Sequence, residues 1–253
     1  LKKIWCWPTG NGESAATVNA KQLLPTGKPP KSVLACLCLA GASRVLNAGV
    51  LTFREFAMQE TLPLATIQDA VLEFLRGRKD VVVFGAQAVN AYVDEPRMTQ
   101  DIDLLSVQAS TLAQEVRDYL SERFHVAVRV REIGEGRGYR IYQVQKLGNR
   151  HLVDVRSVEH LPETRLIAQV LVIAPVDLIA SKVVSYAQRR GSPKSGTDWR
   201  DLGMLLLSFP DLKRDSGPVT DLLLATGAAG GVLDVWHDLV AQDIQPGNED
   251  DEF

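Results

Sequence analysis

Asp101 and Asp103 stand two positions apart in the run Thr99-Gln100-Asp101-Ile102-Asp103-Leu104. In an extended strand, side chains two apart share a face. The pair therefore presents two carboxylates together while Ile102 and Leu104 anchor the other side. Neighbouring carboxylates repel unless a cation lies between them. Mg²⁺ takes hard oxygen ligands, usually one or two carboxylates together with substrate phosphates, so the pair suits a magnesium–nucleotide site. A strand start with solvated acids at its edge would look the same, and two further features argue for chemistry. Gly85-Ala86 directly follows the apolar run Val81-Val82-Val83-Phe84, at a strand-to-helix turn where small residues let backbone N–H groups approach an anion. Asp154 interrupts the apolar run Leu152-Val153-Asp154-Val155. An acid inside a central strand is expensive without a partner or a metal, although an edge-strand acid facing water is the simpler alternative. Three strand carboxylates beside a glycine turn fit two-metal phosphoryl or nucleotidyl transfer.

The elements that must hold these residues follow from periodicity. Leu64, Ile67, Val71, Leu72 and Leu75 recur at helical spacing, and Gly77 ends that helix. Asp80–Phe84 reads as a short buried strand by its β-branched content, Ala86–Tyr92 as a short helix, and Ile102–Val107 as a second strand. Ser110–Phe124 is an amphipathic helix with Leu112, Val116, Leu120 and Phe124 four apart. Val126–Val130 leads into a one-sided strand, and Gly134–Gly138 is a turn. Tyr139–Val144, His151–Val155 and Arg165–Ile173 are three more strands. Helices are expected over Pro175–Arg190, with Pro at its favoured first position, Asp198–Ser208, capped by Thr197, Val219–Ala225 and Gly231–Ala241. This order predicts an α+β fold: a mixed β-sheet with flanking helices and a helical C-terminal module.

The 253 residues are 45% hydrophobic and 23% charged, enough for a real core and unlike a disordered or collagen-like chain. A net charge of −3 gives no global attraction to nucleic acid or anionic lipid. The average conceals an asymmetry. Residues 1–57 hold seven Lys/Arg, two acids and all three cysteines, whereas the remainder holds 21 Lys/Arg against 29 acids. The first Met is Met58, and the Pro/Gly/Ser/Asn-rich run from Pro8 to Ser32 is loop-like. The expected organisation is a disordered or non-native extension over 1–57, a catalytic core over 58–174, a helical module over 175–246 and an acidic tail over 247–253. No apolar run approaches the ~20 residues of a membrane span. Val33–Ala42 lies too deep in the chain for an export signal, and no Cys follows Cys38. The chain is expected to be cytoplasmic, with no disulfide framework or Cys-ligated zinc after that point.

The set Gly85, Ala86, Asp101, Ile102, Asp103 and Asp154 resembles the nucleotidyltransferase superfamily related to polymerase beta. The finer pattern of Gly85, Ala88, Tyr92, Pro96, Arg97, Thr99, Asp101, Ile102 and Asp103 resembles the AbiEii-type nucleotidyltransferases, which include toxins of toxin–antitoxin pairs. Leu178-Ile179-Ala180-Ser181-Lys182, Arg189-Arg190, Pro193-Lys194 and Asp198-Trp199-Arg200-Asp201-Leu202 look like that family's C-terminal motifs. The resemblance implies a nucleotidyltransferase core and an enzyme that moves NMP from an NTP to a hydroxyl of RNA, protein or a small molecule. It implies Asp101, Asp103 and Asp154 as catalytic ligands of two Mg²⁺ ions, with Asp154 near the attacking hydroxyl. Gly85, Ala86 and Arg97 would bind nucleotide, Arg97 neutralising the carboxylates. Lys182 would reach the triphosphate, and Asp198 or Asp201 would orient that lysine or contact the base. A cognate antitoxin is an implied partner, and a membrane is not. Ala86 replaces the usual Gly or Ser, Asp94-Glu95 lengthens the gap before Asp101, and Lys194 is separated from Asp198. These departures motivate the alternative of a nucleotide- or partner-binding member of the same fold that is weak or inactive in catalysis.

Each residue also has a plainer reading. Lys182 could be an exposed helix lysine, Asp198 a helix N-terminal charge, Asp201 a helix-surface acid, and Arg97 a turn residue paired with Asp94 or Glu95. Arg123, Arg129, Arg131, Arg137 and Arg140 could contact RNA phosphates, but alternation with valines favours a solvated strand face. The four histidines show no metal-ligand spacing. Trp199 and Trp236 are expected in the core, and Gly227–Gly231 is expected to be an inter-helix loop. A haloacid-dehalogenase-like phosphatase is rejected because its nucleophile should close a hydrophobic strand, whereas Arg97–Gln100 are mostly polar.

Overall fold

The structure is a computed structural model, and it describes residues 62–246 apart from residues 147 and 229. The expectations for residues 1–57 and for the acidic tail lie outside the described residues. A seven-stranded mixed sheet runs in the order β3-β4-β5-β2-β1-β7-β6. Its strands are β1 Val81–Phe84, β2 Ile102–Ser106, β3 Val128–Ile133, β4 Gly138–Gln143, β5 Arg150–Ser157, β6 Thr164–Ile167 and β7 Val170–Ile173. The helices are α1 Leu64–Leu75, α2 Gly85–Asn90, α3 Ala109–Phe124, α4 Pro175–Gln188, α5 Pro193–Ser208, α6 Pro218–Ala225 and α7 Gly230–Ala241, with a 3₁₀ turn at Pro210–Leu212.

The centre of the sheet is where the sequence is most apolar. All four residues of β1 are buried. β1 pairs antiparallel with β2 and parallel with β7, and β2 pairs parallel with β5. Alternation sorts the two faces. Ile102, Leu104, Val153, Val155 and Ile141 are fully buried, as are Leu112, Val116 and Leu120 of α3. α3 packs across β2 to β5, and α1 packs on α3. The residues between them in the strands, Asp103, Arg140 and Asp154, point to the opposite face. The register aligns Arg131, Arg140, Asp154 and Asp103 as one row across β3, β4, β5 and β2.

The C-terminal helices pack on one another and reach the sheet through α2, which touches both α4 and α5. Trp236 of α7 is fully buried, and its indole N–H donates to Thr220 Oγ1 at 2.9 Å. Trp199 is 42% exposed on α5, so the expectation that it lies in the core fails. Glycines 230 and 231 are already helical, so the inter-helix loop is shorter than its composition predicts.

Two element boundaries differ from expectation for local reasons. The span Arg165–Ile173 is an antiparallel hairpin of β6 and β7, with Ile167 paired to Val170. Ala168 and Gln169 make its two-residue turn at φ 47° and 66°. Such turns normally carry Asn-Gly or Asp-Gly, and without that signal an apolar run reads as one strand. Replacing Ala168-Gln169 by Asn-Gly should raise stability by about 1 kcal/mol, because non-glycine residues are strained there. An unchanged urea midpoint would refute this. α5 begins at Pro193, five residues before the expected Asp198, and its N-cap is Ser192 rather than Thr197. Gly196 and Thr197 are interior to the helix despite their low propensity and are exposed; Pro193 at the first helical position makes the start.

Candidate active site

Asp101, Asp103 and Asp154 converge where β2 and β5 run side by side. Asp103 and Asp154 are direct partners across the parallel pair, and Asp101 lies two residues before Asp103. Gly85 stands at the end of β1 with φ +70°, in the left-handed region that favours glycine. A Cβ added there would sit 2.2 Å from Asp103 Oδ2 and 2.9 Å from its Cγ. The glycine is thus required twice, by its dihedral and by the close approach of the carboxylate. Gly85→Ala should cost more than about 2 kcal/mol in stability and displace Asp103. A melt within a degree of the parent would contradict this.

The segment between α2 and β2 is pinned by the motif's own side chains. Asn90 Nδ2 donates to the Arg97 carbonyl at 2.8 Å, and the Arg97 N–H donates to Asn90 Oδ1 at 3.0 Å. Gln68 Nε2 donates to both the carbonyl and the hydroxyl of Thr99, whose hydroxyl donates to Gln87 Oε1. The Tyr92 hydroxyl donates to the Ile173 carbonyl at 2.7 Å, and burial pushes its pKa up to about 12. These bonds set where Asp101 emerges, two residues after Thr99.

Asp201, far from being a surface acid, is fully buried and joins this region to the C-terminal helices. Arg97 clamps it with two bonds, Nε to Oδ1 at 2.7 Å and Nη2 to Oδ2 at 2.9 Å. Lys182 Nζ donates to Asp201 Oδ2 at 2.6 Å and is itself buried. Arg97 therefore pairs across the fold and not with Asp94 or Glu95. Burial pushes the Asp201 carboxyl up, but the hydrogen bonds and charges of Arg97 and Lys182 outweigh it and hold the group below its usual range. Lys182 is close enough for its charge to act on Asp103. Asp198 is also buried and accepts from Arg189 Nη1 at 3.0 Å, and its charge acts on Arg97. With α5 starting at Pro193, Asp198 lies a full turn inside the helix, so it is not an N-terminal charge.

The structure adds a residue that sequence reasoning set aside. His151 Nδ1 lies 3.1 Å from Asp101 Oδ2, and its Nε2 lies 3.0 Å from Asp154 Oδ1. Residues three apart in a regular strand face opposite ways. Here the register of β5 against β4 slips, with Ile141 opposite Val153 but Tyr142 opposite His151. The extra residue, Leu152, forms a bulge that re-aims His151 onto the carboxylate face, as bulges beside active sites do. A search for helical His spacing could not find it.

The electrostatics follow from this packing. Burial pushes the Asp103 carboxyl up to about 6 against the pull of Arg156, with Asp101 and Asp154 adding repulsion. The imidazole of His151 holds Asp101 below its usual range. Burial alone would lower His151, but its bonds to Asp101 and Asp154 raise it to about 9. Arg140 Nε donates to Asp154 Oδ1 at 3.0 Å, and the Arg156 guanidinium lies 4.9 Å over the Phe84 ring. The five candidate arginines do not form one cluster. Arg123 belongs to α3 and pairs with Glu73, and Arg137 caps the Gly134 carbonyl. Arg129, Arg131 and Arg140 share the carboxylate face, since Arg131 is the cross-strand partner of Arg140 and Arg129 that of Tyr142.

The donor set suits a divalent cation. Asp101, His151 and Asp154 can each offer one ligand atom with all three within 4.8 Å of one another, and Asp103 adds a half-buried carboxylate beside them. A cation held by these donors would relieve the repulsion that Asp101 and Asp154 exert on Asp103. No helix among the described residues is long and apolar enough to cross a membrane.

No curated protein matches the chain. Solved structures similar to the chain include the Megavirus polyadenylate synthase, at 17% identity and TM-score 0.48, covering 58% of this chain and 32% of that one. The chain thus spans about a third of that enzyme's length. ANT(2'')-Ia in complex with adenylyl-2''-tobramycin is similar at 15% identity and TM-score 0.43, covering 65% of this chain and 95% of that one. An antigenic nucleotidyltransferase-like protein from Paracoccidioides brasiliensis is similar at 18% identity and TM-score 0.37, covering 68% and 90%. A family model described as "Nucleotidyl transferase AbiEii toxin, Type IV TA system" matches residues 70–250, a span that takes in the carboxylates, the Asp201 clamp and every helix from α2 onward. With well over half of its length matched, the chain belongs to the AbiEii nucleotidyl transferase family.

Proposed function

We propose that the protein transfers a nucleoside monophosphate from an NTP to a hydroxyl acceptor, with the reaction centred on Asp101, Asp103 and Asp154. The observation that carries this reading is the convergence of those carboxylates against Gly85, where even a methyl group would strike Asp103. The acceptor oxygen attacks the α-phosphorus, the bond to the bridging oxygen breaks, and pyrophosphate leaves. Asp154 accepts the hydroxyl proton. Asp101, Asp103 and Asp154 would hold divalent cations, Mg²⁺ by the resemblance, which supply charge neutralisation of the phosphates when bound. Gly85 and Ala86 line the triphosphate next to Asp103. Lys182 provides a point charge for the phosphates. Asp201 positions Lys182, and Arg97 holds Asp201 in place. Asp198 supports α5 through Arg189 and has no direct part in transfer.

RNA is the acceptor class that the charge distribution favours. Arg131 and Arg140 adjoin Asp154 on one face, and Arg129 and Tyr142 extend that face to the sheet edge. Phosphates need cations, and bases can stack on an aromatic ring. The family description motivates a role as the toxin of a toxin–antitoxin pair in the cytoplasm, with a cognate antitoxin as partner. The divisions at residues 57, 174 and 246 are kept as the working organisation of the chain.

The test uses the whole chain with each NTP labelled on the α-phosphate, Mg²⁺ and cellular RNA. Labelled RNA is expected with at least one NTP, and Asp101→Ala should abolish it. Arg131→Glu should weaken RNA binding uniformly across sequences and lower the salt dependence by about one ion. Nucleotide binding without any transferred label would overturn catalysis and support the inactive-binder alternative, for which Ala86 is the motivating feature.

A further inference from the structure

His151 has no place in a site read as carboxylates alone, yet both of its ring nitrogens face the cluster. Nδ1 lies 3.1 Å from an oxygen of Asp101, and Nε2 lies 3.0 Å from an oxygen of Asp154. Three features show that this position is built. The slip at Leu152 turns the side chain onto the carboxylate face, where regular alternation would have turned it away. The Tyr142 ring packs against the imidazole with centroids 5.2 Å apart. The ring is only partly exposed, at 27%. One ring nitrogen of His151 and one carboxylate oxygen each of Asp101 and Asp154 lie within 4.8 Å of one another, close enough to share one ion.

An imidazole changes what such a site prefers. Mg²⁺ favours oxygen donors and dehydrates reluctantly. Imidazole suits the first-row transition ions, while carboxylates suit Mg²⁺ and Mn²⁺ alike. We propose that His151 is a nitrogen ligand of the divalent ion at this site and that it makes the site select Mn²⁺ over Mg²⁺. One ring nitrogen joins carboxylate oxygens of Asp101 and Asp154 on the ion. The other ring N–H stays hydrogen-bonded to a carboxylate, an arrangement that fixes the tautomer and orientation of a metal-bound imidazole. The inference rests on the nucleotidyl transfer reading for what the ion does, but whether the ion binds through nitrogen is independent of turnover.

The experiment titrates the whole chain with Mn²⁺ in the absence of nucleotide. Loss of the free aqua-ion EPR signal reports binding, and electron spin-echo modulation reports ¹⁴N coupled to the bound ion. Wild-type protein is expected to show imidazole ¹⁴N modulation. His151→Ala should lose it and bind Mn²⁺ about 10- to 100-fold more weakly. Mg²⁺ affinity, read by competition, should change by less than about threefold. His151→Asn, which retains a polar side chain, guards against loss of fold and should likewise lack the imidazole coupling. The wild-type spectrum decides even if both variants unfold. Bound Mn²⁺ without ¹⁴N modulation, modulation that survives in His151→Ala, or an unchanged Mn²⁺/Mg²⁺ preference would overturn the ligand assignment. Such a failure with label transfer intact leaves the transferase reading standing. Nitrogen coupling without transfer would overturn the transferase reading and leave the ligand.

Discussion

Asp103→Asn is expected to reduce nucleotidyl transfer by on the order of 10³-fold while leaving the protein at least as stable as the parent. The two effects separate because of where the charge sits. Asp103 lies between Asp101 and Asp154, and burial pushes its carboxyl up to about 6, so holding it ionised at neutral pH works against the fold. The amide keeps the side chain's shape and its fit against Gly85 and removes the repulsion from Asp101 and Asp154, at the cost of the attraction of Arg156 and Lys182. Replacing a desolvated, repelled charge by a neutral isostere is often neutral or stabilising by about 1 kcal/mol. The measurement is a metal-free thermal melt alongside the label-transfer assay. A melting temperature several degrees below the parent would show that Asp103 is structural, and retained transfer would remove it from the catalytic set. Gly85→Ala, by contrast, should lower stability and activity together, because a Cβ there strikes the same carboxylate.

Asp201→Ala is expected to have the largest effect on stability, a loss of about 3–5 kcal/mol, with transfer falling alongside it. Asp201 is fully buried and takes three charge-assisted bonds, two from Arg97 and one from Lys182. Truncation strands a buried ammonium and releases the clamp between the α2–β2 segment and α5. Asp201→Asn should be less damaging than truncation, because its one carbonyl oxygen can still accept from Lys182 and one Arg97 N–H while its NH2 meets the other arginine donor. Its effect on transfer then reads how far Lys182 must be held in place. The same group has a signature in acid. Its folded pKa lies below the ordinary value of about 4, so its contribution is fully present above that value and is lost as pH falls through the folded pKa. Wild-type stability should therefore drop more steeply below about pH 4 than that of Asp201→Asn. Parallel acid limbs for the two proteins, followed by urea unfolding, would contradict the clamp.

The local elements were legible where chemistry and periodicity agreed. α1 follows from the spacing of Leu64, Ile67, Val71 and Leu75, and β1 from four consecutive apolar residues bounded by Gly85. The three carboxylates were legible because acids in apolar strands stand out. Legibility ended where the cause was not local or where one local signal masked another. The β6–β7 turn carries Ala168-Gln169 in a conformation that the flanking pairing imposes, so no turn residue marks it. α5 starts at Pro193 behind the N-cap residue Ser192, a local signal that the low helix propensity of the exposed Gly196 and Thr197 obscured. Trp199 is on a helix, as expected, but on its exposed side.

The sequence by itself determined the carboxylates, the glycine beside them, the α+β order of elements and the motifs that place the chain among AbiEii-type nucleotidyltransferases. These are properties of residue type and spacing along one strand or one helix. Only the tertiary structure decided the partners. Asp201 is the residue that holds Lys182, and Asp198 is not. Arg97 reaches across the fold and ignores its neighbours Asp94 and Glu95. His151 joins the carboxylates because one extra residue at Leu152 reverses the direction of its side chain. Each of these depends on which strand or helix lies alongside, over separations as long as the 104 residues between Arg97 and Asp201. The physical reason is that a side chain's charge and hydrogen-bond state are set by what surrounds it in space, which spacing along the chain does not specify.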